Sequence, residues 1–230
     1  MKPSARWILW VTILAVASPL RVEGGPLTTP PEYTVAPDMV DYLAFADEQV
    51  TLVFISKRKA VTAAHVCDGQ TPGSCSVSVG GQTATCRVHP KYVTPQHQRD
   101  IAVCDFTADV SKAFLNPKPP GSAKVFTVAG FGCWEEGSTV PDPDNISAAP
   151  LKLVGPGAGG YSVLEPYDNT SRVCWGDSGG PVLLGHVTFS ALPKAGSFSG
   201  VISGFSGDTS YVNLFDSCTL KWIKNKSHKC

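Results

Sequence analysis

Short apolar runs recur along the chain at Gln49–Ile55, Ser76–Gly80, Ile101–Phe106, Lys124–Ala129, Pro181–Leu184 and Gly200–Ser203. They are rich in Val, Ile and Phe and bounded by Gly, Pro, Ser or Asp, the pattern that predicts short β-strands between turns. A helical segment is expected only at the end, where Asp216 or Ser217 caps a stretch carrying Leu220, Trp222 and Ile223 ahead of Lys224 and Lys226. The 22 glycines and 19 prolines among 230 residues suit many turns better than long helices, so an all-β fold is expected. Asn116-Pro117-Lys118-Pro119-Pro120-Gly121 reads as a linker between two halves of similar size.

The first residues differ in kind. Lys2 and Arg6 precede the largely apolar run from Trp7 to Ala17, and Ala15-Val16-Ala17 offers the small residues of a cleavage site, so residues 1–17 read as a secretory signal. That run is shorter than the roughly twenty residues a membrane-spanning helix needs. A soluble, secreted, extracellular protein is expected, with no membrane contact after signal removal. The eight cysteines, Cys67, Cys75, Cys86, Cys104, Cys133, Cys174, Cys218 and Cys230, agree, because none forms a CxxC pair and an even set in an exported chain predicts disulfides. Eight cysteines allow roughly a hundred pairings; the most local one joins Cys67 to Cys75, Cys86 to Cys104, Cys133 to Cys174 and Cys218 to Cys230. Three sequons, at Asn145, Asn169 and Asn225, predict a glycoprotein in a eukaryotic host. With 19 basic and 19 acidic side chains the chain presents no field of one sign, so nucleic acid is not an expected partner.

Candidate chemistry centres on Cys174-Trp175-Gly176-Asp177-Ser178-Gly179-Gly180-Pro181. Glycines around one serine let the backbone approach a ligand, and the amides of Gly176 and Ser178 are then candidates for an oxyanion hole. A serine nucleophile needs a histidine base, and the histidine needs a carboxylate. Among five histidines, His65 stands where the run Val61-Thr62-Ala63-Ala64 ends, next to Cys67, a setting that His89, His97, His186 and His228 lack. For the carboxylate, Asp100 heads Asp100-Ile101-Ala102-Val103, either as a turn residue or as a buried partner. Asp105 and Asp109 are its rivals, late in that strand and beyond it. Histidine, aspartate and serine in this order match one of the known chain orders of the triad.

Three blocks, Thr62-Ala63-Ala64-His65, Asp100-Ile101-Ala102-Val103 and Gly176-Asp177-Ser178-Gly179-Gly180-Pro181, resemble the signatures of the trypsin/chymotrypsin serine protease family. Val128-Ala129-Gly130-Phe131-Gly132, Val201-Ile202-Ser203 and Leu220-Lys221-Trp222-Ile223 are similar to the family's strand opening the second barrel, its substrate-pairing strand and its C-terminal helix. The resemblance implies two antiparallel six-stranded β-barrels (chymotrypsin-like) with a short C-terminal helix. It places an N-terminal barrel at about 22–108, a linker at 109–121, a C-terminal barrel at 122–215 and the helix at 216–228. It implies a serine endopeptidase without metal or organic cofactor, acting on a protein or peptide substrate as a monomer, with a proteinaceous inhibitor as a further partner. His65, Asp100 and Ser178 would be catalytic.

The resemblance also implies a zymogen, with residues 18–21 as a short propeptide and Val22 released to pair its ammonium with Asp177. Cys75 is the expected partner of Cys67, and Cys133 that of Cys174. The specificity pocket would take Arg172, six before the serine, with Ser203 and Phe205. A basic floor favours Asp or Glu before the scissile bond; otherwise Arg172 turns to solvent or a local acid and the pocket is apolar. Family members that serve as binding proteins generally lose a triad residue, whereas this chain keeps all three, so a non-catalytic secreted binding protein is the alternative.

Overall fold

The computed structural model describes residues 39, 41–70, 75–94, 97–133, 140–141, 143–157, 160–167, 173–185, 197–225 and 229–230. Six strands, β1 (Leu43–Ala46), β2 (Val50–Ser56), β3 (Lys59–Thr62), β4 (Ser76–Val79), β5 (Gln82–Val88) and β6 (Ala102–Phe106), form a first antiparallel sheet in the order β1-β2-β3-β6-β5-β4. Its two edges meet where the Asp47 amide donates to the Ser78 carbonyl at 3.0 Å, which curls the sheet into a barrel.

The second sheet contains β7 (Asn116–Pro117), β8 (Val125–Gly130), β9 (Ser147–Pro156), β10 (Ser162–Pro166), β11 (Pro181–Leu184), β12 (Ser197–Ser206) and β13 (Thr209–Leu214). Because β11 pairs with both β8 and β12, the six strands from β8 to β13 close on themselves. The short β7 adds to β12 in parallel. Asn116 and Pro117, expected in a linker, thus join the second barrel. Proline fits there because an edge strand tolerates a missing N–H, and the next amide, of Lys118, donates to Phe198 O at 2.9 Å. The architecture is therefore two six-stranded antiparallel barrels and one short helix, chymotrypsin-like, as the family resemblance implies.

The apolar runs fall close to the observed strands, and Pro181–Leu184 coincides with β11. They read as nearly continuous apolar stretches because both faces of several strands are covered. Ala44, Leu52, Phe54, Ala60 and Cys104 fill the first barrel, while their neighbours Leu43, Val53, Val61 and Val103 turn outward into a layer shared with Phe131, Leu183, Phe198, Val201 and Phe215. Phe126, Leu151, Leu164, Ile202 and Val212 fill the second barrel. The barrels are thus cemented by a third apolar cluster.

The C-terminal helix α1 (Ser217–Lys224) is capped by Asp216, whose carboxylate accepts from the Thr219 amide at 2.7 Å. It buries Trp222 and Ile223 in the shared layer. Arg87 of β5 lies 4.4 Å over the Trp222 ring, and its guanidinium donates to Trp222 O at 3.2 Å.

All eight cysteines are paired, in the local pattern expected from the sequence. Cys67–Cys75 closes the loop after β3, and Cys86–Cys104 joins the facing positions of β5 and β6 inside the first barrel. Cys133–Cys174 ties the segment after β8 to the serine turn, and Cys218–Cys230 fastens the C-terminus to the first turn of α1.

Candidate active site

His65 sits in a single 3-10 turn, Ala64–Cys67, directly after β3. Ala63 and Ala64 are fully buried, so small residues let this turn nest against the barrel, and the Cys67–Cys75 disulfide fixes its far end. Asp100 leads into β6 with its side chain wholly buried, whereas Asp105 is half-buried and Asp109 lies at the surface, paired with Arg58. Its carboxylate accepts from the His65 amide (Oδ1, 2.7 Å) and lies 2.7 Å from His65 Nδ1 through Oδ2. Ser203 donates its hydroxyl to the same Oδ2. An ionised carboxylate in that position fixes Nδ1 as the protonated nitrogen and leaves Nε2 as a base. Burial acts to lower the His65 pKa, but the hydrogen bond and charge of Asp100, with Asp68 behind, outweigh it and hold the imidazole above its ordinary value.

Ser178 lies in the turn before β11, half-buried, and lines one cleft of about 630 Å³ together with His65. Gly179, at φ +83°, presses on the first barrel so closely that a Cβ would collide with Thr62 Oγ1 and Thr51 O. Only glycine fits that contact and that conformation. Among the described residues, the amides of Asp177, Gly179 and Gly180 each donate to a carbonyl, whereas those of Gly176 and Ser178 have no protein acceptor. Two unpaired donors on the serine turn are what an oxyanion would need.

The turn is held from two directions. Thr51 of β2, fully buried, donates its amide to Ser178 O and its hydroxyl to Gly176 O, both at 2.8 Å, and accepts from Phe131 N at 3.2 Å. On the other side, Asp177 is completely buried and accepts from Gly132 N at 2.9 Å and Cys174 N at 2.8 Å, the amides flanking the Cys133–Cys174 disulfide. Burial pushes its carboxyl up to about 7 despite those two donors.

Of the remaining expected residues, Ser203 meets Asp100 and also borders the cleft, and Phe205 lines the cleft with its ring 5.9 Å from Trp175, edge to face. Arg172 and Val22 lie outside the described residues, as do residues 1–17, His186, His228 and Asn169. Sequence reasoning assigned no role to Thr51 or Trp175 and set His97 aside for lack of the setting that His65 has. Trp175, an exposed tryptophan three residues before the serine, was the one visible signal.

A family profile described as Trypsin matches residues 42–215. No curated protein matches the chain. Among solved structures, a mutant of human heparin binding protein is similar in fold, with a TM-score of 0.64 at 16% identity over 85% of this chain and 95% of that one.

Proposed function

This chain belongs to the trypsin family, and on that premise we propose that it is a secreted serine endopeptidase with Ser178 as nucleophile. The observation that carries the reading is that His65, doubly bonded to buried Asp100, lines one cleft with Ser178. Asp100 orients His65 and stabilises its charged form. His65 takes the Ser178 proton through Nε2 as the hydroxyl attacks the scissile carbonyl, and the amides of Gly176 and Ser178 receive the oxyanion. The proton then passes to the leaving amine, and water repeats the sequence to release the acyl group. The steps draw on the chain's own side chains and amides, the substrate and one water.

Secretion is supported by the sequence of residues 1–17 and by four disulfides, which fit an extracellular protein. Asn145 and Asn225 are exposed, as glycosylation requires. We assign Arg172 to the pocket floor, where it favours Asp or Glu before the scissile bond, with the Trp175–Phe205 pair narrowing the entrance. Activation by release of Val22 is supported by Asp177, a buried carboxyl held by amides alone among the described residues, which an ammonium would stabilise in its charged form.

Peptides with Glu, Phe or Arg at the cleaved position test these assignments. The protein beginning at Val22 should hydrolyse the Glu peptide fastest, and the protein beginning at Ser18 should be inactive. Preference for Arg would refute the basic floor, and full activity of the Ser18 form would refute the zymogen. The second reading, a non-catalytic secreted binding protein, draws on the likeness to a protein named for binding heparin. Absence of hydrolysis by the Val22 form with every peptide would favour it.

A further inference from the structure

His97 plays no part in the proposed chemistry, yet its ring stands 5.4 Å from that of His65, nearly perpendicular at 84°. Both imidazoles line the cleft that holds Ser178. A nitrogen of each ring and an oxygen of Asp100 fall within 4.8 Å of one another. Two imidazoles on one tetrahedral zinc, with Zn–N bonds of about 2.0–2.1 Å, place their ring centres about 5 Å apart, close to the separation seen.

The hydrogen bonds also select the tautomers. Asp100 fixes the proton of His65 on Nδ1. Tyr92 spends its only proton on Asp68 Oδ2, at 2.8 Å, so its oxygen, 3.5 Å from His97 Nδ1, favours the tautomer that carries the proton on Nδ1, though at that length it is a weak contact. Each ring therefore keeps its lone pair on Nε2, and each has an acid behind it, Asp100 directly and Asp68 through Tyr92. Carboxylates placed behind histidines in this way orient metal ligands. Asp100 itself is not available as a ligand, because both its oxygens are engaged by His65 and Ser203. His97 is also held at φ +48°, a backbone conformation few residues adopt, which fixes the ring's starting direction.

We infer that His65 and His97 form a binding site for a divalent transition-metal ion, zinc being the probe of choice, that reversibly shuts the active site. The ion takes Nε2 of both rings, with water or a substrate carboxylate in the open positions. Imidazole nitrogen suits zinc and disfavours the hard ion magnesium. Occupied, Nε2 of His65 can no longer accept the Ser178 proton. Inhibition rests on the reading of His65 as general base; binding does not.

Zinc chloride titrated into the Ser178→Ala form of the mature chain, followed by calorimetry, isolates binding from catalysis. Saturable binding of zinc is expected, and magnesium chloride should give none. Losing an outer partner alone costs about 10- to 100-fold in metal affinity. Replacing the ligand by His97→Asn, which suits a positive φ, should weaken zinc at least that much, and Tyr92→Phe should weaken it by about tenfold or more. In the form with Ser178, zinc should suppress hydrolysis and a chelator should restore it. Zinc binding unaffected by both substitutions overturns the site, as does no binding to a folded chain. Binding that depends on His97 in a chain that hydrolyses nothing would retain the site and remove the protease reading. Hydrolysis indifferent to zinc would do the reverse.

Discussion

Thr51 donates its hydroxyl to Gly176 O and accepts from Phe131 N, so one side chain of the first barrel holds both walls of the serine turn. Thr51→Val keeps the shape and removes both bonds, leaving a buried carbonyl and amide unpaired. A displacement of the turn by a fraction of an ångström to an ångström costs up to about 100-fold in rate. The expected result is a fall of kcat by roughly tenfold or more with a smaller change in KM, measured on a peptide substrate with folding checked by circular dichroism. Nothing local in the sequence announces this role. Thr51 lies inside Val50-Thr51-Leu52-Val53-Phe54, where a β-branched residue is ordinary, and its partner Gly176 is 125 residues away. Asp100 is legible for the opposite reason, since an acid heading an apolar strand must either cap a turn or find a buried partner. Family resemblance places Ser203 in the pocket, and its hydrogen bond to Asp100 becomes visible only in the folded chain.

At the scale of elements, α1 braces the loop that presents Asp100. Its cap Asp216 pairs with Arg99 at 2.7 Å, and buried His89 packs edge to face on Trp222 at 4.9 Å. Burial first, then the charges of Arg99 and Lys91, outweigh Asp216 and lower the His89 pKa to about 4. The unfolded chain, whose imidazole titrates at about 6.5, then binds this proton before the folded one does. Stability present above about pH 6.5 is lost as pH falls toward 4, by up to about 3 kcal/mol. Urea unfolding near neutral pH and near pH 4 should show that loss, and His89→Gln should show a smaller one; an equal loss in both would place the acid sensitivity elsewhere. The helix and β11 are legible because a capping acid, a following apolar stripe and a proline at the strand start are local signals. The pairings Cys86–Cys104 and Cys218–Cys230 are legible too, because each joins cysteines adjacent in the sequence order. The strand β5 is not, because Thr83, Thr85 and Arg87 break its apolar run while facing outward or toward α1.

For the whole molecule, the site exists only where two barrels meet. His65 and Asp100 come from the first barrel, Ser178 and Ser203 from the second, and the shared layer around Val53, Val61, Phe198 and Phe215 holds them in register. That layer buries side chains from both units, so neither barrel alone carries the candidate chemistry. The two-barrel arrangement follows from family blocks spread along the chain. The seam itself cannot be read from the sequence, because a strand's outward apolar residues do not say which surface covers them. The most direct measurement is covalent labelling of the processed chain with a fluorophosphonate, with the modified residue located by mass spectrometry. A serine whose proton is taken by His65 should carry the adduct at Ser178, and the adduct should vanish in His65→Ala. No adduct on a folded, processed chain, or an adduct that persists without His65, would contradict the account.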